Sequence, residues 1–340
     1  MALGTGRRLR YLIQRARALD VRNLLRLAAL SRRVSRRPTA LVVADMLWAA
    51  VRHQVAFQDY ADWDFAILTR AERATWLTHP MSNHLAVRLN SREHRDTFAD
   101  KTRFDDRFRA YLGRDWIDLR NVDAATLASF ARRHGAVIVK VPDSLGGVGI
   151  DRIDAVDVTD WDALHARLLA GRQFLVEELL GQHLRMAALN PSSVNTLRIV
   201  TYLDGDRVHL LAAVLKMGNG GPIDNFSHGG MYTMLDADGV ARHAAFDGAG
   251  DTFDVHPATG TPIVGFAVPL YDRVLDLVER LAREVPEMRY IGWDIAITPD
   301  GPVVIEGNYN TGVFQPKPSV SGIRIGLLPR YRDAIGFSPR

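Results

Sequence analysis

Residues 290–312 read YIGWDIAITPDGPVVIEGNYNTG, and the fold turns on them. Two alternating apolar runs, Tyr290–Ile297 and Val303–Gly307, flank Pro299-Asp300-Gly301. Proline suits the first position of a turn and glycine supplies a left-handed residue, so the segment predicts a β-hairpin with a three-residue loop. That register sets Thr298 opposite Pro302, Ile297 opposite Val303, Ile295 opposite Ile305 and Asp294 opposite Glu306. One face is then aliphatic and packs inward. The other presents Asp294, Glu306 and, two residues on, Asn308. Cross-strand Cβ atoms lie about 5 Å apart. Two carboxylates that close repel, and one keeps its proton unless a cation sits between them. A donor set of oxygens without Cys or His suits a hard cation such as Mg2+, which keeps waters and bridges phosphates. The plainer alternative is a solvent-facing hairpin with scattered acids.

A second segment fits a phosphate partner. Ala136–Val141 reads as a short buried strand that carries Lys140. It runs into a loop that holds Asp143, Ser144, Gly146, Gly147 and Gly149. Such a loop can lay backbone N–H groups over phosphate oxygens, with Lys140 neutralising their charge. It is not a P-loop, because no Lys-Ser or Lys-Thr follows the glycines, and the G-x-G-x-x-G spacing is absent as well. Alone the loop reads as an ordinary turn; the metal site downstream gives it weight.

Working outward, the N-terminal part reads helical. Leu41–Tyr60 shows helical periodicity, Thr69 and Glu72 are spaced as a capping box for a helix from Thr69 to Leu77, and a third helix follows over Ala99–Leu112. From Gly135 the texture changes. Strands are predicted over Phe174–Leu179, Thr196–Leu203, Val208–Lys216 and Gly229–Leu235, and helices over Asp160–Leu169 and Leu270–Glu284. Helices mix with strands joined by tight turns, so the fold class is α+β with antiparallel sheets.

Composition bounds the function. The 340 residues suffice for two or three packed units, and 47% hydrophobic with 24% charged residues is ordinary for a soluble globular protein. No apolar run reaches the roughly 18 residues of a membrane span. The first apolar stretches are studded with Arg, unlike a signal peptide. Cys is absent, which excludes disulfides, thiol nucleophiles and Cys-based zinc sites and fits a cytoplasmic protein. The net charge of +4 is uneven: residues 1–37 hold eleven Arg against one acid, Asp20. That basic head, with Leu9, Leu12, Ala16 and Leu19 at helical spacing, suits either an anionic membrane surface, nucleic acid or an acidic partner, or a merely solvated helix face. Only four of the 43 basic side chains are Lys: Lys101, Lys140, Lys216 and Lys317. Where Arg does the routine surface work, a retained Lys points to a need for a compact charge.

The order of these parts resembles the ATP-grasp superfamily: Lys140 on its strand, the glycine loop, the strand with Glu177 and Glu178 ending at Leu180, the run from Asn195 to Val200, then Asp294 and Glu306-Gly307-Asn308. Lys101 resembles the lysine that opens that domain. The loop from Asn225 to Gly230 resembles the asparagine-to-double-glycine loop of ribosomal-protein glutamate ligases. From about Asp45 onward the chain is most similar to the branch called sugar-transfer-associated ATP-grasp, including Asp59-Tyr60 and Arg114-Asp115-Trp116. The resemblance implies two α+β lobes clasping ATP after an N-terminal helical region. The divisions expected are a basic helical head over residues 1–37, a helical region over 38–98, a first lobe over 99–180 and a second lobe over 181–340.

It also implies roles. Lys101, Lys140, Ser144, Gly146 and Gly147 would hold ATP phosphates. The backbones of Glu178 and Leu180 would face adenine, with Glu177 a second hinge candidate and one of these acids within reach of the ribose. Asp294, Glu306 and Asn308 would bind Mg2+. Arg198 and Lys216 would stabilise phosphoryl transfer, and Asn225 would line the acceptor side. One departure stands out: Lys216 takes a place where the glutamate ligases usually have Arg. The activity implied is a Mg·ATP-dependent carboxylate–amine ligase. It would pass through an acyl phosphate, release ADP and phosphate, and act in envelope or exopolysaccharide modification. Its partners would be a small-molecule or saccharide-linked carboxylate and an acceptor. Peripheral membrane contact would run through residues 1–37, and no nucleic acid is expected. Two other classes compete: a kinase-like phosphotransferase on the same fold, and a basic membrane- or polymer-binding adaptor. His79, His84 and His94 show no convincing metal-ligand spacing, and His228 reads as a turn histidine.

Overall fold

The computed structural model describes residues 20–144, 149–219, 226 and 229–337. Three helices open the described chain: α1 (Val21–Ser35), α2 (Thr39–Arg52) and α3 (Phe57–Asp62). Asp20 caps α1 by accepting from the Asn23 amide at 3.0 Å. Leu24, Leu27 and Ala28 of α1 and Val42, Met46 and Ala49 of α2 recur at helical spacing, and they bury one shared cluster with Tyr60, Trp63, Phe65 and Trp76. Helix α1, the second half of the basic head, is therefore built into the N-terminal core; residues 1–19 lie outside the described residues. The single helix expected over Leu41–Tyr60 is two. The chain leaves α2 at His53, and Gln54 takes a left-handed φ of 57° that ends the helical run.

Helix α4 (Arg70–Arg73) keeps its capping box, with Thr69 and Glu72 exchanging both bonds, yet it is four residues long rather than running to Leu77. Helices α5 (His79–Leu89), α6 (Arg95–Ala99) and α7 (Lys101–Arg107) follow. The helix expected over Ala99–Leu112 is α7 plus one 3-10 turn, Arg109–Tyr111. Asp100 starts α7 by accepting from the Thr102 amide at 2.8 Å.

The first lobe is a four-stranded antiparallel sheet of β1 (Trp116–Asp118), β2 (Ala136–Lys140), β3 (Ile150–Asp154) and β4 (Leu175–Glu178), in the order β1-β4-β2-β3. Helices α8 (Ala124–His134) and α9 (Trp161–Ala170) cover one face, against Val137, Val139, Ile153 and Val176. The alternation of side chains then turns Ile138, Lys140, Leu175 and Glu177 to the opposite face. Helix α10 (Leu184–Leu189) leads into the second lobe.

That lobe is a seven-stranded antiparallel sheet: β5 (Thr196–Asp204), β6 (Arg207–Met217), β7 (Met231–Met234), β8 (Ala245–Asp247), β9 (Thr252–Phe253), β10 (Tyr290–Ile297) and β11 (Pro302–Asn308). Its order is β11-β10-β5-β6-β7-β8-β9. Helix α11 (Tyr271–Glu284) packs Val274, Leu277, Val278 and Leu281 on Leu197, Ile199, Leu215, Trp293 and Ile295. Each such Val or Leu contributes about 1.5–3 kcal/mol on full burial. Two short helices, α12 (Pro318–Ser321) and α13 (Leu328–Ile335), close the chain.

The hairpin register differs from expectation at its tip. Thr298 and Gly301 exchange backbone bonds in both directions, at 2.9 and 3.2 Å, so the loop is Pro299-Asp300 and Gly301 belongs to the ladder. Ile297 then faces Pro302 and Ile295 faces Val304, one residue off the predicted pairing. A β-bulge between Asp294 and Ile295 absorbs the extra residue, Ile305, and returns Asp294 to its place opposite Glu306.

Candidate functional site

The sheet of the second lobe assembles the site by register. Asp294 pairs with Arg198 across β10 and β5 and with Glu306 across β10 and β11, while Lys216 lies opposite Thr196 on β6. All four point away from α11. Arg198 donates to both oxygens of Asp294, Nε to Oδ1 at 2.7 Å and Nη2 to Oδ2 at 2.9 Å, and its Nη1 reaches the Thr311 carbonyl at 2.7 Å. Lys216 Nζ lies 3.4 Å from Asp294 Oδ1. Asn308 Nδ2 lies 3.4 Å from Asp294 Oδ2 and 3.3 Å from Glu306 Oε1. Burial alone would raise the Asp294 pKa, but Arg198 and Lys216 overcome it and hold the carboxyl well below the usual range. Gly292 makes the close packing possible: a Cβ there would stand 3.0 Å from Thr311 Cβ and 3.1 Å from Arg198 Cδ.

The expectation that Asp294 and Glu306 need a cation between them is therefore met in part by the protein itself, since Arg198 and Lys216 already balance Asp294. A hard cation still fits. Two carboxylates and a carboxamide converge within 3.4 Å on the Asn308 side chain, and all three can offer oxygen once the amide is turned.

Two further lysines approach this site, Lys140 from the first-lobe sheet and Lys101 from α7, whose Phe104 packs in the core of the second lobe. Lys140 pairs with the buried carboxylate of Glu177. Lys101 donates from Nζ to the Ser144 carbonyl, which ties it to the start of the glycine loop. Burial chiefly, and the Lys140 ammonium as well, hold Lys101 below its ordinary pKa against the opposing pull of Glu306, Glu177 and Asp143. Ser144 Oγ donates to the Val141 carbonyl at 2.8 Å, so its hydroxyl closes the turn. Gly146 and Gly147 lie outside the described residues, as do Asn225 and His228.

At the hinge, Glu177 and Glu178 part ways. Glu177, the second hinge candidate and one of the two acids offered for the ribose, is 2% exposed beside Lys140 and Arg114, because alternation sets it on the sheet face opposite α8 and α9. Glu178 turns outward: its Oε2 accepts from the Asp115 amide at 3.0 Å, and its own amide donates to the Asp115 carbonyl at 2.9 Å. Leu180 stands half-buried two residues past the end of β4.

Several partners were not legible in the chain. Arg114 joins Glu177 to the bulged strand β11, and Asp105 lies 3.5 Å from Arg114. Burial first, then the Glu177 charge, push the Asp105 pKa up to about 8. The Arg114-Asp115-Trp116 stretch was visible only as a family feature. The Lys scarcity was a usable signal: Lys140, Lys216 and Lys317 are each paired with a carboxylate and largely buried, and Lys101 is half-buried.

Residues 163–320 match the family model described as sugar-transfer associated ATP-grasp, which meets the resemblance read from the sequence. The match runs from α9 through the β10–β11 hairpin and leaves out Lys101 and Lys140. No curated protein matches the chain. Among solved structures, the ATP-grasp ligase PsnB, complexed with a phosphomimetic variant of a minimal precursor, Mg and ADP, is 17% identical with a TM-score of 0.39, over 71% of this chain and 60% of that one. D-alanyl-alanine synthetase A from Vibrio cholerae is 14% identical with a TM-score of 0.39, over 71% and 62%. Carboxyaminoimidazole ribonucleotide synthase from Aspergillus clavatus, complexed with ATP, is 12% identical with a TM-score of 0.40, over 64% and 46%. The chain thus spans less than two thirds of each of these three.

Proposed function

With the sugar-transfer-associated ATP-grasp match over residues 163–320 as premise, we propose that this protein is an ATP-dependent ligase that activates a carboxylate as an acyl phosphate and passes the acyl group to an amine. One observation carries the reading. The buried set of Arg198, Lys216 and Asp294 adjoins Glu306 and Asn308, in a cleft that also receives Lys101 and Lys140.

Mg2+, when bound, would be held by Asp294, Glu306 and Asn308 and would offset charge on the phosphates. The chain's own residues do the rest. Lys101 and Lys140 hold phosphate oxygens from the first lobe. Arg198 and Lys216 present fixed positive charge to the transferring γ-phosphoryl group, which needs positioning and charge stabilisation more than covalent help. The substrate carboxylate oxygen attacks the γ-phosphorus, the bond to the β-phosphate oxygen breaks, and ADP leaves. The amine then attacks the acyl carbon, phosphate departs with the bonding pair, and the amine sheds a proton. The family description ties this branch to sugar transfer, so saccharide-linked carboxylates and amines are the first substrates to screen, with envelope or exopolysaccharide modification as the setting.

The test is a product assay. With Mg·ATP, a carboxylate and hydroxylamine, the expected products are ADP, phosphate and a trapped hydroxamate. AMP and pyrophosphate would overturn the reading. A stable phosphorylated product without hydroxamate would replace it with a kinase-like phosphotransferase.

A further inference from the structure

Helix α2 carries an apolar face that the fold leaves open. Leu41, Leu47, Trp48 and Val51 are 61%, 42%, 60% and 52% exposed, and Ala40 and Ala44 complete the stripe at helical spacing. Beside it, α1 exposes Val21 and Leu25. Both helices send their buried positions into the one cluster formed with α3, so their exposed stripes share the outer side of the hairpin. Isolated exposed leucines need no explanation, but a contiguous run on one helix pair does.

The charge around this face is one-sided. Residues 21–52 hold seven arginines, from Arg22 to Arg52, and one acid, Asp45. All seven arginines are exposed, and none forms an ion pair among the described residues. Asp45 is taken, because Arg73 donates to both of its oxygens and Tyr60 to one. The surface therefore combines an apolar strip, an exposed Trp and exposed guanidinium groups that form no ion pair among the described residues, Arg26 donating only to the Asn23 and Gln58 amide oxygens.

We infer that the outer face of α1 and α2 docks on an anionic lipid surface, with Leu41, Leu47, Trp48 and Val51 entering the headgroup boundary and the arginines meeting lipid phosphates. This chemistry matches both halves of the face. An amphipathic helix seats its apolar side about 5–10 Å into the interface, Trp favours that depth, and Arg pairs with phosphate bidentately. A second copy of the chain fits less well, since a two-fold contact would set arginine against arginine with no acid to answer. Nucleic acid would satisfy the arginines and leave the apolar strip in water. The docking face is separate from the nucleotide cleft and does not rest on the proposed reaction.

The experiment uses the full chain with vesicles of phosphatidylglycerol mixed into phosphatidylcholine, read by co-sedimentation and tryptophan emission. Trp48 is the one exposed tryptophan among the described residues, so its blue shift reports seating of this face. Binding is expected to the mixed vesicles and not to phosphatidylcholine alone. It should fade toward 1 M salt, where the Debye length is about 3 Å. Leu47→Glu with Trp48→Glu should abolish it with an unchanged melting curve and unchanged ATP turnover in solution. Arg32→Glu and Arg33→Glu should weaken it by at least about fivefold each. Should the double variant fail to fold, Trp48→Ser alone, read by co-sedimentation beside a melting curve, decides the question. Three results would overturn the inference: equal binding to neutral vesicles, no effect of the α2 substitutions, or a stable dimer that Trp48→Glu dissociates.

Discussion

Arg114 donates from Nε to Glu177 Oε1 at 2.6 Å, and both side chains are only 2% exposed. The same guanidinium donates to the Val304 carbonyl at 2.9 Å and to the Ile305 carbonyl at 3.3 Å, which are the backbone groups of the bulge before Glu306. Glu177 in turn holds Lys140. One buried Arg therefore ties the strand of Lys140 to the strand of Glu306, and so fixes one lobe against the other.

Arg114→Met should be costly for that reason. It leaves two bulge carbonyls and part of a buried carboxylate without a donor, and breaking a buried pair by one partner costs about 3–5 kcal/mol. Thermal melting should show the loss. Arg114→Lys should recover only part of it, because a single ammonium cannot serve Glu177, Val304 and Ile305 in one plane. Full recovery by Lys would show that charge alone is at work.

The two carboxylates of the hairpin should separate by their effect on stability. Glu306→Gln is expected to abolish ATP turnover with little change in melting, since among the described residues the ion pairs of Arg198 and Lys216 go to Asp294 and none reaches Glu306. Asp294→Asn should abolish turnover and also destabilise the fold, because Arg198 at 9% exposure loses its carboxylate. Normal turnover in both variants would remove them from the site.

Lys140→Ala should weaken binding of a non-hydrolysable ATP analogue by more than about tenfold, as expected for one lost charge-assisted contact of about 1.5–3 kcal/mol. Glu177 keeps Arg114 as a partner, so the fold should survive. Calorimetric titration beside a melting curve distinguishes the two effects; unchanged affinity in a folded variant would count against the role.

Stability should fall as pH rises from about 4 to about 7, with Asp62 a contributor. Burial first, then the nearby Asp59 and Asp64 charges, push its carboxyl up to about 7, against the opposing help of Gln58 and Lys317. In that window the folded state holds a proton that the unfolded state has released, so the unfolded state gains as pH rises. Asp62→Asn should flatten this slope. Denaturant midpoints measured across the window test it, and an unaltered slope in the variant would assign the effect elsewhere.

The chain's own pattern determined the parts whose signal is local. Alternation along Tyr290–Ile297 sets that strand and turns Asp294 away from the face of Trp293 and Ile295, because side chains alternate with period two; Glu306 joins that face only through the bulge at Ile305. The α+β class follows in the same way from strand runs and helical stripes. The scarcity of Lys marked positions that the structure buries or half-buries. Tertiary structure decided the rest. The Pro299-Asp300 loop and its compensating bulge depend on how Thr298 and Gly301 bond and on Arg114, which meets the bulge from 190 residues away. Strand β3 carries Asp151, Arg152 and Asp154 and is a strand only because β2 offers it a ladder. Whether Glu177 faced a ligand or the interior, and whether Asp294 met a metal-type neighbour or Arg198 first, depended on residues far apart in sequence. Those contacts are fixed by packing and register across sheets, where no local periodicity reports them.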